Sequence, residues 1–288
     1  MPSRRAYLAT VASGLVSAAG CLSGSAPQST SSTTQPTASL TQTTATTTTT
    51  TAGVDVDVER TVVRKAVTYE SSLGSGGVLA GDDRQYVVSE VRADRDLSVS
   101  SFRFTADDQS WQSGLPDTRG GINLTVAGRG MGPVGRTLSD DGTSYLAFTL
   151  PTPLSAAEPV IEYQSEGQEA SWPVSAAGTE ALAAPAPKFE LRSLSVPERV
   201  TRGEPLNASL TVANVSETDG RFLAALYWPT TVADDDESQL VERQVSAGET
   251  ATATVEISTE RTDGENQATL AVRGHVTAER SVALENES

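Results

Sequence analysis

The sequence predicts an all-β protein: two β-sandwich domains carried behind a signal peptide and a disordered Thr-rich stalk. Three observations point there. From Val54 onward, short segments alternate apolar and polar residues with period two. Clusters of Gly, Pro, Asp and Ser separate them, such as Asp140-Asp141-Gly142 and Ser165-Glu166-Gly167. Convincing helical periodicity is absent, and the alanine-rich run around Leu182 runs into Pro185 and Pro187, which argue against a long helix.

Residues 1–20 read as an address label. Arg4 and Arg5 are adjacent, and Ala6 to Gly20 carries no charge. That apolar run suits a signal peptide and is too short to cross a hydrocarbon core of about 30 Å as a helix. The pattern resembles a twin-arginine export signal, which moves folded proteins. It ends Ala18-Ala19-Gly20-Cys21, which resembles a lipobox, and Cys21 is the one cysteine of the chain. The resemblance implies a lipid on the Cys21 sulfur, the strongest nucleophile of the segment. One acyl chain anchors only reversibly, so stable tethering implies a two-chain lipid. The membrane is therefore an expected partner, and the outer face of the cell membrane the expected location.

Residues 21–53 read as a stalk. No charge occurs from Leu22 to Val54, and seventeen of the twenty-five residues from Gln28 to Ala52 are Ser or Thr. So few apolar groups cannot offset the entropy of ordering, and the composition is that of a mucin-like spacer.

Residues 54–175 read as the first sandwich. Strands are expected at 61–69, 85–93, 98–105, 121–127, 144–150, 159–164 and 170–175. Residues 176–187, rich in small side chains and ending Pro185-Ala186-Pro187, read as a short semi-rigid linker. Residues 188–288 carry seven more expected strands, at 189–194, 207–213, 221–228, 239–245, 251–258, 267–273 and 280–284. That density suits an immunoglobulin-like sandwich, and both domains are assigned to that class. The second domain also resembles the adhesion-related immunoglobulin-like modules called CARDB-like. The resemblance rests on Leu194-Ser195-Val196-Pro197, Gly203-Glu204, Ala208 to Asn214 and Ala247-Gly248-Glu249-Thr250. It implies a fold and a surface role, and no ligand.

The net charge of −16 becomes −18 once the first twenty residues are removed. Such a surface repels nucleic acid and anionic headgroups, so no nucleic-acid partner is expected. Of the 21 basic residues only Lys65 and Lys188 are lysines. This acid-rich, lysine-poor composition resembles proteins of extremely halophilic archaea, where strong brine shortens the screening length to about 3 Å at 1 M salt.

Candidate sites are few. Gly130-Met131-Gly132-Pro133-Val134-Gly135 fits a dinucleotide motif by letter, but Pro133 and the turn at Asp140-Asp141-Gly142 leave no helix to face phosphate. Asp234, Asp235, Asp236 and Glu237 form an acidic run, a weak candidate for a hard cation, because consecutive side chains diverge where Ca²⁺ needs convergence. No metal and no cofactor are expected. His275, the one imidazole, follows Gly274 in an expected turn and reads as an exposed loop residue, so no catalytic residue is assigned and no enzyme expected. Trp172 and Trp228 lie on expected strands as packing residues. Trp111 lies in an expected polar loop and is the candidate partner contact. Asn123, Asn207, Asn214 and Asn286 head glycosylation sequons, with Asn214, in an expected turn, the best placed acceptor.

The sequence thus leads to a non-catalytic surface lipoprotein for binding, adhesion or envelope scaffolding, with a protein or glycan partner. The alternative is an accessory substrate-binding protein for a transporter or extracellular enzyme, with Trp111 and the Gly128–Gly135 loop as its ligand edge. A third reading is a hydrolase accessory domain.

Overall fold

The computed structural model describes residues 56–71, 76–93, 97–115, 123–126, 143–165, 167–231, 237–264 and 266–286, all within a compact unit from Thr43 to Ser288. The chain is all-β. Among the described residues it has one α-helix and one turn of 3-10 helix. Cys21, Arg4, Arg5, the glycine motif at 130–135 and Asp234 to Asp236 lie outside the described residues.

The first half contributes β1 (Val56–Arg64), β2 (Ala66–Ser71), β3 (Gly76–Ala80), β4 (Arg84–Ala93), β5 (Phe102–Ala106), β6 (Gln109–Gln112), β7 (Asn123–Val126), β8 (Thr143–Pro151), β9 (Val160–Ser165) and β10 (Gln168–Pro173). The helix α1 spans Ala176–Ala183. The second half contributes β11 (Phe189–Ser195), β12 (Arg199–Thr201), β13 (Leu206–Asn214), β14 (Gly220–Trp228), β15 (Glu237–Val245), β16 (Thr250–Ile257), β17 (Gln267–Gly274) and β18 (Ala278–Glu285). They form five sheets, ordered β10-β9-β5-β6, β1-β4-β8, β3-β2-β7, β12-β18-β17-β14-β15 and β11-β13-β16.

Apolar layers stack these sheets in that order. Phe102, Phe104, Phe148, Ile161 and Trp172 fill the space between the first two sheets. Val67, Tyr86, Val88 and Ala147 join the second to β2 and β3. Ala66 and Val78 meet Leu223, Ala225, Tyr227 and Ala271 on the other side of β2 and β3. Trp228, Phe222, Leu210, Leu226, Leu270 and Val272 are prominent in the last core. Successive strand residues point to opposite faces, so a strand in an inner layer must be apolar on both. In β14, Phe222, Ala224, Leu226 and Trp228 enter one core while Leu223, Ala225 and Tyr227 enter the neighbouring layer. In β4, Val87 and Val91 face one way and Tyr86 and Val88 the other.

The structure departs from the sequence reading in several places. The single strand expected at 61–69 is two strands, because the chain bends at Lys65 and passes from the β1-β4-β8 sheet into the β3-β2-β7 sheet. The segment expected as a linker is folded. Ser175 caps α1 by accepting from the Gly178 amide, and Leu182 is completely buried in the first core. Trp111, expected in a loop, sits on β6 opposite Phe104.

Candidate functional site

Lys65 occupies the bend between β1 and β2. Its Nζ donates to Gln85 Oε1 at 2.6 Å, Thr152 Oγ1 at 3.1 Å and the Ala184 carbonyl at 2.6 Å. Three oxygen acceptors match the three donors of an ammonium group. Burial lowers the Lys65 pKa to about 8, so it is still charged at neutral pH. Gln85, fully buried, donates onward to the Pro151 and Leu182 carbonyls. One lysine thereby ties the bend, β4, the end of β8 and the end of α1 together.

Glu90 is 2 % exposed on β4 and pairs with Arg60 and with Arg92, the latter at 3.0 Å. Arg60 has φ of 47° and lies in the bulge between Glu59 and Val62. The bulge turns its guanidinium toward a carboxylate whose burial demands a cation.

His275 is a correction to the sequence reading, since it is packed and not an exposed loop residue. Its ring stands edge-on to Phe189 at 4.8 Å and lies 5.9 Å from Phe222. Nδ1 lies 3.0 Å from the Leu223 amide nitrogen, from which it can accept, and 3.2 Å from the Leu223 carbonyl, to which it can donate. The imidazole takes over where the β14–β17 ladder ends at Ala224 and Gly274. Burial pushes its pKa down to about 4, so the ring is neutral.

Asn214 is also corrected. It is 1 % exposed, and its Nδ2 donates to the Thr218 and Val245 carbonyls at 2.8 and 3.0 Å. Its Oδ1 accepts from the Ser216 amide and hydroxyl. The expected turn exists, but the amide is consumed in closing it, so the folded chain presents no acceptor there. Asn207 and Asn286 are exposed, and the Asn123 side chain lies outside the described residues.

Trp111 is half-buried, 6.0 Å from Phe104, and covers the rim of the first core. Trp172 and Trp228 are buried, and Trp228 Nε1 donates to Thr262 Oγ1 at 2.7 Å. Glu237 opens β15, and no group of three or more His, Cys, Asp or Glu converges among the described residues.

Two open clefts are formed by described residues. One of about 730 Å³ is bordered by Glu158, Pro159, Pro173, Val174, Thr179 and Glu180, at the start of α1. The other, about 410 Å³, lies beside Tyr227, Asp263, Thr269, Ala271, Arg273 and Glu279, on the face of β17 that carries Ala271 toward β3. Carboxylates and hydroxyls border both, and the one imidazole is committed elsewhere. Sequence reasoning missed the Lys65 hub; its signal was a lysine amid a strand pattern, in a chain with only one other lysine, Lys188.

No protein-family pattern matches the chain, and no curated protein does. A search of solved structures finds beta-glucosidase from Listeria innocua at 20 % identity, over 36 % of this chain and 17 % of that one, TM-score 0.31. It also finds Beta-D-glucoside glucohydrolase from Trichoderma reesei at 14 % identity, over 35 % of this chain and 19 % of that one, TM-score 0.29. The alkylpurine DNA glycosylase AlkC of Pseudomonas fluorescens matches at 14 % identity, over 37 % of this chain and 34 % of that one, TM-score 0.28. The matches span a third of each of these proteins at most, and likenesses of this size carry no functional argument.

Proposed function

We propose that this chain is a lipid-anchored extracellular protein of a salt-adapted cell. Its stalk holds a non-catalytic β-structure at the surface for binding, adhesion or scaffolding. The observation that carries this reading is the placement of Cys21. It is the one cysteine, it follows Ala18-Ala19-Gly20, and an uncharged Ser/Thr stretch begins directly after it. The two arginines upstream and the net charge of −16 support the same reading. So does the use of His275 in packing, which removes the usual general base from chemistry. The rival reading, a substrate-binding protein with Trp111 and the Gly128–Gly135 loop as its ligand edge, has less support, because Trp111 packs on Phe104 at the rim of the first core.

Membrane fractionation of the Cys21→Ser variant tests the anchor. The native chain should partition with membranes and carry the added mass of a lipid on Cys21. The variant should appear in the medium at the unmodified mass. Retention of the variant on membranes after detergent-free washing would sink the reading.

A further inference from the structure

Every sheet in an open stack ends in strands whose outer backbone groups can recruit another strand, and folded proteins blunt such edges. Here β3, β6, β7 and β12 are no longer than five residues. The strands β1 and β11 carry bulges, between Glu59 and Val62 and between Leu191 and Ser193. Ser113 bridges β8 at Phe148, and β8 and β10 each end in a proline, Pro151 and Pro173. The edge of β15 carries Glu242 beside Arg243, both exposed.

One edge has only a single charge by way of such devices. Strand β16 reads Thr250-Ala251-Thr252-Ala253-Thr254-Val255-Glu256-Ile257 and pairs with β13 through eight consecutive positions without a bulge. It has no proline, glycine or basic residue, and Glu256 is its single charge. Ala253 and Ile257 are buried, while Thr250, Thr252 and Thr254 are exposed. Among the described residues no other strand pairs with its outer edge.

We infer that β16 is an interaction edge at which a second copy of this chain adds, antiparallel, to make one continuous sheet. The chemistry of the strip selects that occupant. In a chain of net charge −16 the strip is nearly neutral, so it holds no attraction for a basic segment. What complements threonine outside and alanine inside is the same alternation reversed. Two registers give the greatest overlap with both faces matched. They place Thr254 opposite Thr252 or Thr254 of the second copy. In both, Glu256 meets a threonine, so no carboxylate opposes another. The sheet already contains one such pair, since Thr211 Oγ1 and Thr252 Oγ1 are hydrogen bonded at 2.9 Å. Net charge opposes the approach of two copies, so pairing strengthens as salt screens it.

The test uses the full chain, carrying either of two tags, co-expressed and solubilised at multi-molar salt. The two forms should co-purify, and more so as salt rises. The double variant Thr252→Glu/Thr254→Glu, compared at the lowest salt at which the native forms co-purify, sets carboxylates opposite each other in both registers and should cut co-purification about tenfold. The double variant Thr252→Cys/Thr254→Cys should give a covalent dimer on mild oxidation in either register. The control Thr269→Cys, exposed on β17, should not. The cysteine pair keeps the edge uncharged, so it decides the matter even if the glutamate variant fails to fold. A monomeric oxidised cysteine variant, or co-purification unchanged by a folded glutamate variant, overturns the inference.

Discussion

The apolar layers inside each half and the layers that join the halves are filled with different side chains. Inside, Trp228, Phe222, Phe102, Phe104 and Phe148 are fully or almost fully buried between the sheets. At the junction alanines make up half of the filler: Ala66, Ala225 and Ala271 lie with Val78, Leu223 and Tyr227, whose hydroxyl is 3.4 Å from that of Tyr69. Large residues give a core its transfer free energy, whereas small ones let two existing sheets approach. The contrast teaches that the halves carry their own stability, and that the junction is a matter of fit. Its dependence on fit is plainest at Gly77. A methyl group added there would lie 2.3 Å from the Tyr69 ring and 2.4 Å from the Tyr227 hydroxyl.

The largest expected effect follows from breaking an inner core. Trp228→Ala leaves a large cavity and should cost about 3–5 kcal/mol in denaturant unfolding at fixed high salt. A loss below 1 kcal/mol would mean that this core does not hold the second half. Gly77→Val strikes the junction instead. It should cost about 2 kcal/mol, or on the order of 5 °C in melting temperature. It should also open Lys188 to a lysine-specific protease. In the native fold the Lys188 carbonyl accepts from the Val215 amide, at the passage between the halves. If Gly77→Val melts like the native chain and stays uncut, the junction is looser than its packing implies.

Much of this contrast was legible in the residues. Period-two alternation places strands in both halves because half-buried strands must alternate. Runs without alternation, Tyr86-Val87-Val88 and Phe222 to Trp228, belong to strands buried on both faces, a signal that the reading as two separate sandwiches passed over. The switch of sheet at Lys65 was not legible, because the strand pattern continues across the bend and only the partner strands change. The helix α1 was hidden by its brevity: a single residue, Leu182, is buried, too few to set a period. At Asn214 the turn was readable, but the burial of its amide depends on Val245, far along the chain. For Cys21 the sequence remains the whole of the argument.

The smallest effect is a pH dependence at the rim of the second core, and it separates packing from charge at His275. The folded pKa of about 4 lies below the ordinary value of 6.5. Between those values the unfolded chain binds a proton that the folded chain refuses. This contribution is therefore fully present above pH 6.5 and is lost as pH falls toward 4. Because the ring is partly open to solvent, the loss should be about 1–2 kcal/mol rather than the full shift. The many carboxylates titrate nearby, so the measurement is the stability gap between the native chain and His275→Asn. Asparagine keeps an acceptor for the Leu223 amide but has no proton to gain, and it forfeits the contacts with Phe189 and Phe222. The gap should be widest at pH 7 and narrow toward pH 4.5. A gap that stays constant over that range would leave His275 a packing residue whose protonation the fold tolerates.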